Sequence, residues 1–212
     1  DSYVFCFCDA LKSIVLPNSL TTIGEGAFQE CSALESVTLG SSVETIGASA
    51  FICAPISSIT IPASVTNIGK WAFYDCGLEH VTLHCANVDN WFSTYATIKE
   101  VVVGEGVENI VDDAFSGCSS LESITLPFVG ATKNGTSYTH FGYIFGASSY
   151  SYNYDYVPNS LKTVVITGGA NIASSSFSGC DGLTSITIPD SVTSIGDYAF
   201  YNCSSLMSIT IP

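Results

Sequence analysis

Arginine is absent from the 212 residues, and lysine occurs only five times, at Lys12, Lys70, Lys99, Lys133 and Lys162. Nucleic-acid binding needs many basic side chains to displace counterions from phosphates, so that class is excluded. Attachment to an anionic membrane surface is disfavoured for the same reason. Charge of either sign is scarce, at 11% of residues against ~25% in an ordinary soluble domain. Ten Asp and nine Glu still leave a formal charge of −14. These acids are dispersed, with Asp112–Asp113 the only adjacent pair. None shows the spacing of a calcium-binding loop, so the negative charge reads as a means of staying soluble. Long apolar runs are missing too: the longest is six residues, Tyr3 to Cys8, where a membrane-spanning helix needs ~20.

Catalytic signatures are also lacking. There is no G-x-S-x-G, no phosphate loop and no G-x-G-x-x-G opening a helix. His80, His84 and His140 are the only histidines. His80 and His84 would lie ~13 Å apart on an extended strand, too far to share one zinc. His84 and its neighbour Cys85 would point to opposite faces, which disfavours a nucleophile–base pair. No catalytic residue, metal ligand or cofactor is therefore expected, and the chain does not read as an enzyme.

What the sequence has in abundance is Ser and Thr (31 and 19), a 47% hydrophobic fraction, and repetition. A chain this apolar can bury a substantial core. The segments LKSIVLP (11–17), LESVTLG (34–40), ISSITIP (56–62) and LEHVTLH (78–84) align with one another. They continue as IKEVVVG (98–104), LESITLP (121–127), LKTVVIT (161–167), LTSITIP (183–189) and LMSITIP (206–212). The nine copies are spaced by 23, 22, 22, 20, 23, 40, 22 and 23 residues, so one interval carries an insertion. The rest of the unit repeats as well: SLTTIGEGAFQEC (19–31) matches SVTNIGKWAFYDC (64–76) and SVTSIGDYAFYNC (191–203). Residues 84–97 lose the A-F-x-x-C element, and Cys53 follows Phe51 by two places instead of three.

The pattern resembles the BspA-like leucine-rich repeats of bacterial cell-surface proteins, and the resemblance covers essentially the whole chain. It implies a repeat solenoid: a leucine-rich-repeat right-handed superhelix of ~23-residue units, with short parallel β-strands and irregular or 3-10 return turns. The expected organisation is a single solenoid over 1–212 with nine strand repeats and a Tyr-rich insertion at about 128–160. The chain enters and leaves in mid-unit, and a segment of a longer protein with further C-terminal repeats is expected. The resemblance further implies a non-enzymatic recognition or adhesion module of a secreted or cell-surface protein, with host matrix proteins among its partners.

In each strand the last two apolar residues of L-x-x-Φ-x-Φ face inward, and the residues between them face outward. The glycine of I-G (Gly24, Gly47, Gly69, Gly196) is expected where the backbone turns left-handed or approaches its neighbour closely. The prolines after the strand (Pro17, Pro62, Pro127, Pro189, Pro212) end the ladder. Phe28, Phe51, Phe73, Phe115, Phe177 and Phe200 form one internal column. Cys8, Cys31, Cys53, Cys76, Cys118, Cys180 and Cys203 form another and act as buried reduced thiols. Cys6 and Cys85 fall outside that column and are the expected reactive exceptions.

Two surfaces remain for a partner. One is the outward strand face, where five of the nine residue pairs are Ser-x-Thr. It reads either as ordinary pleated-sheet chemistry or as a hydroxyl array for glycans. The other is the insertion, which holds six of the eleven tyrosines. Tyr138, Phe141, Tyr143, Tyr150, Tyr152, Tyr154 and Tyr156 are its candidate partner-binding residues, in the Tyr-Ser-Gly-Asn composition of antibody binding loops. The alternative is that the alternate tyrosines of 150–156 form an extra strand or cover the core. A structural spacer or self-associating element is the competing role for the whole chain.

Overall fold

The computed structural model describes residues 1–211; Pro212, the last of the expected ladder-ending prolines, lies outside them. The chain forms two compact units, Asp1–Ala86 and a second from Asn87 onward, and both are built from parallel β-solenoid coils.

In the first unit the strand Ser13–Val15 pairs in register with Ser36–Thr38, and Ser58–Ile61 pairs with His80–Leu83. A second, shorter ladder joins Thr22–Ile23, Thr45–Ile46 and Asn67–Ile68. The alternation foreseen from the repeat is present: Val37, Ile59, Ile61, Val81 and Leu83 are buried, while Val15 is 76% exposed. In the second unit Glu100–Val103, Ser123–Leu126, Thr163–Ile166, Ser185–Thr187 and Ser208–Thr210 run side by side and parallel. The 40-residue interval does not break this ladder, because Ser123 pairs directly with Thr163. The insertion leaves the coil and returns to the same register.

The return segment between strands is a hydrogen-bonded ladder of its own. Every second N–H donates to the next coil: those of Gly26, Phe28 and Glu30 reach the carbonyls of Ala48, Ala50 and Ile52 at 2.9, 2.7 and 3.0 Å. The next coil repeats this, from Ser49, Phe51 and Cys53 to Lys70, Ala72 and Tyr74 at 3.1, 2.7 and 3.0 Å. Left-handed residues accompany these donors: Ser49 (φ 53°), Trp71 (φ 61°), Glu30 (φ 57°) and Asp75 (φ 57°). A left-handed non-glycine residue costs ~1–2 kcal/mol, which the inter-coil backbone bonds help to offset. The I-G glycines are not among the left-handed residues. They are there for space: a Cβ on Gly47 would lie 2.6 Å from the Glu25 nitrogen of the preceding coil.

The phenylalanine column exists in both units. Phe5, Phe28, Phe51 and Phe73 stack at 5.2, 5.2 and 5.3 Å with interplanar angles of 10°, 2° and 2°. In the second unit Phe177 stacks on Phe200 at 5.4 Å, and Phe115 is fully buried. The column has a further member where the A-F-x-x-C motif is lost. Residues 84–97 keep a core phenylalanine: Phe92 ends a 3-10 turn, Asn90–Phe92, that Asp89 caps by accepting from the Asn90 N–H at 2.7 Å. Phe92 is fully buried. Its place is fixed by spacing to the next strand, since Phe92 precedes Ile98 by six residues as Phe28 precedes Leu34.

The cysteine column has a definite function in this packing. In four coils Sγ donates to the phenylalanine carbonyl of the coil before: Cys31 to Phe5 at 3.0 Å, Cys76 to Phe51 at 2.9 Å, Cys118 to Phe92 at 3.3 Å and Cys203 to Phe177 at 3.1 Å. All nine thiols are free. Four assignments change: Cys8 and Cys203, expected to be buried, are half-buried, and Cys85 and Cys53 also differ. Cys85, expected to be reactive, is fully buried, because it follows the exposed His84 on the alternating strand and so points inward. Cys53 leaves the column: it is half-buried at a left-handed position, and the one-residue offset puts Ala54 in the buried place.

Burial pushes the thiols of Cys76 and Cys118 up to about 12, and those of Cys85 and Cys203 to about 11. At pH 8, titration of the native protein with a thiol reagent is therefore expected to label Cys6 and Cys8, both half-buried, well before the others; fast labelling of Cys85 would contradict its inward placement. Raised thiol values also set the sign of the alkaline response. Below the unfolded value near 9 both states keep the proton, so the stabilisation is intact. As pH climbs from 9 towards 12 the unfolded chain releases protons that the folded one holds, and stability falls.

Candidate functional site

The insertion is built on the second unit by three anchors. Its first arm doubles back: the Ile110 N–H donates to the Ala131 carbonyl at 2.8 Å, and the Ala131 N–H to the Tyr138 carbonyl at 3.0 Å. A 3-10 turn, Phe141–Phe145, then enters the return ladder. Phe115 N–H donates to the Ile144 carbonyl at 2.9 Å, and Phe141 N–H to the Ser176 carbonyl at 2.8 Å. These are the bonds an ordinary coil makes at its Ala-Phe step, so the turn substitutes for one. His140 Nε2 lies 2.8 Å from the Ala147 carbonyl; a carbonyl only accepts, so Nε2 carries the proton.

The third anchor is Asn153, fully buried. Its Oδ1 accepts from the Gly142 N–H at 3.0 Å, and its Nδ2 donates to the carbonyls of Ser176 and Ser178 at 3.1 and 2.9 Å. Gly142 is required for this closeness, because a Cβ there would strike Asn153 Oδ1 and the Ala147 methyl. Asn153 begins a single helical turn, Asn153–Tyr156, which follows the 3-10 turn Tyr150–Tyr152. Ser149 caps the latter by accepting from the Ser151 N–H at 3.4 Å.

That helical geometry excludes the extra strand considered for 150–156. Residues two apart on a helix do not share a face, so Tyr150, Tyr152, Tyr154 and Tyr156 splay outward while Asn153 points in. All four are exposed, between 46% and 57%. Tyr138 is exposed as well and stacks on the half-buried Tyr143 at 5.0 Å. Phe141 differs from the tyrosines. It is fully buried, 4.8 Å from Phe177 and 5.4 Å from Phe145, and so holds the loop down without presenting a surface.

Two clefts flank the loop. One of about 400 Å³ is lined by Asp112, Tyr138, Tyr143, Gly146, Ala147 and Ser148. Burial, with the Asp112 charge second, raises the Tyr143 hydroxyl above its ordinary value, so that hydroxyl stays protonated at neutral pH. The other, about 330 Å³, mixes apolar Phe128 and Val129 with Lys133, Asn134, Thr136 and Asn171.

Exposed aromatics also occur where the repeat motif varies, and the sequence reading had not singled them out. Trp71 and Tyr74 of the first unit are 52% and 53% exposed, with Lys70 Nζ 4.2 Å above the Trp71 ring. Tyr198 and Tyr201 meet edge to face at 5.8 Å. Both pairs occupy the places just before and after the Ala-Phe step, a signal visible in the repeat. The outward hydroxyls of the strand face are in register, Ser185 opposite Ser208 and Thr187 opposite Thr210. Among the described residues, no three His, Cys, Asp or Glu side chains converge as a metal site would need. No helix of the described residues is long and apolar enough to cross a membrane.

No curated protein matches the chain. Solved structures do. A leucine rich cell surface protein from Faecalibacterium prausnitzii A2-165 is 29% identical, with 99% of this chain and 62% of that chain covered and a TM-score of 0.42. This chain thus spans less than two thirds of that protein. The T. pallidum Leucine Rich Repeat protein is 25% identical, with 92% and 78% covered and a TM-score of 0.47. A family model described as BspA type Leucine rich repeat region matches in six copies, over residues 1–95, 88–137 and 149–212. The gap between the last two matches, 138–148, falls in the insertion, where Phe141–Phe145 replaces a standard return turn. With the repeat accounting for the rest of the sequence and for its packing, the chain belongs to the BspA-type leucine-rich repeat family.

Proposed function

We propose that this chain is a non-enzymatic protein-recognition module of a secreted or cell-surface protein, and that the Tyr-rich insertion is its recognition surface. The observation that carries the reading is the combination of a rigid base and a wet aromatic top. Asn153, Phe141 and Ile144 fix the loop to the coil, while Tyr138, Tyr150, Tyr152, Tyr154 and Tyr156 stand in solvent. Tyrosine gives large contact area for little conformational entropy, and a pre-fixed loop loses less on binding. Host matrix proteins are the partner class in view.

The test is an array of matrix proteins and glycans probed with this chain and with a variant carrying Ser at Tyr138, Tyr143, Tyr150, Tyr152, Tyr154 and Tyr156. Saturable binding to a matrix protein that the variant loses by at least tenfold is the expected result. Binding that survives all six changes would move the site to the strand face or to the Trp71–Tyr74 pair.

A further inference from the structure

The cleft beside the loop has a chemistry of its own. It is lined by Tyr138, Tyr143, the Gly146–Ser148 segment and the acidic residue Asp112. Behind Gly146, Asp113 Oδ1 lies close to the spot where a Cβ on that glycine would be, and Tyr156 Cδ1 is 3.5 Å from that spot. Two tyrosine rings and Asp112 thus line a space of about 400 Å³. No lysine lines it. Lys133, on the neighbouring arm, lines the other cleft and donates to the Glu105 carbonyl at 3.4 Å.

The geometry points to a socket for one cationic side chain, a lysine or arginine presented by a protein partner. Aromatic faces carry negative quadrupole density and attract ammonium or guanidinium groups within ~6 Å of the ring centre. The alkyl stem of either side chain can lie along a tyrosine ring while the head meets Asp112, as long basic side chains do on amphipathic surfaces. The chain's charge of −14 and lack of arginine favour approach of a basic partner and oppose an acidic one. A neutral sugar could use the rings but would gain nothing from the carboxylate's charge. This socket rests on the proposed role of the insertion and refines it, by giving the partner a charge and an anchor.

The experiment follows backbone amide shifts of the intact chain while n-butylammonium, a bare lysine side-chain mimic, is added. Saturable shifts confined to Asp112, Tyr138, Tyr143 and Gly146–Ser148 are expected. Asp112→Asn should weaken that binding about tenfold, and Glu44→Gln, an exposed acid of the first unit, should leave it unchanged. Shifts spread over acidic residues throughout the chain would overturn the socket. So would 1-pentanol or N-acetylglucosamine shifting these amides while n-butylammonium does not. The array separates this inference from the broader one: matrix-protein binding lost with the six tyrosines but kept by Asp112→Asn leaves the loop as the recognition surface and removes the cationic anchor.

Discussion

Asn153→Ala is expected to lower stability by about 2–5 kcal/mol and to abolish partner binding without touching an exposed tyrosine. The substitution leaves the buried Gly142 N–H and the half-buried Ser178 carbonyl without the Asn153 amide. Each unsatisfied buried group costs ~1–3 kcal/mol. The Ser176 carbonyl suffers less, because it still accepts from the Phe141 N–H. Asn153→Asp should be worse: it keeps the acceptor facing Gly142 but turns a carboxylate oxygen toward two carbonyls in a dry site. Urea denaturation measures the loss, and hydrogen exchange shows where it acts. Faster exchange at Gly142 and Phe141, with the Thr163–Ile166 strand still protected, would mark local opening of the loop. A wild-type midpoint for Asn153→Ala would mean that the loop is held by its apolar anchors alone.

Phe51→Ala is expected to cost about 3–5 kcal/mol through the cavity left by a fully buried ring. Loss of stacking on Phe28 and on Phe73, at 5.2 and 5.3 Å, adds to this, since aromatic pairs contribute ~0.5–1.5 kcal/mol beyond their area. In a solenoid each coil is supported only by its neighbours, so the damage spreads along the axis. Total stabilities of ~5–15 kcal/mol leave little margin for such a loss. Phe5→Ala is the built-in comparison: Phe5 is 41% exposed and has one stacking neighbour, Phe28. It should cost far less, and equal shifts in the two urea midpoints would refute the column as the main internal support of that unit.

The coil was legible because its physics is periodic. Inward Val37 and Ile59, the Phe column and the strand register all follow from a unit that must present the same face at each turn. What escaped the sequence was where the period hides a substitution. Phe92 sits in a turn without the A-F-x-x-C neighbours that advertise Phe28 or Phe73, and only its six-residue distance to Ile98 betrays it. Cys85 was misjudged because it lies outside the motif, although simple alternation from the outward His84 turns it inward. The I-G glycines provide close approach, and left-handed geometry belongs instead to residues such as Trp71 and Tyr198, whose mark is their place just before the Ala-Phe step. Within the insertion, composition identified the tyrosines but could not separate Phe141 from them. That separation depends on Phe177, 36 residues away in sequence. Asn153 had no signal at all, since its task is defined by three backbone groups brought together only in the folded chain.

Ser123 pairing directly with Thr163 has a consequence for how such a molecule can change. The coil closes behind the loop as though nothing intervened, so the 36 residues from 127 to 162 behave as a cassette. Part of it is dictated by packing: the Ile144 carbonyl, the Phe141 N–H and ring, Gly142, the amide of Asn153, and the buried Phe128, Phe145, Val157 and Leu161. The exposed tyrosines between them can be rewritten with little debt to folding. Specificity can drift in the cassette while the spine keeps its rhythm.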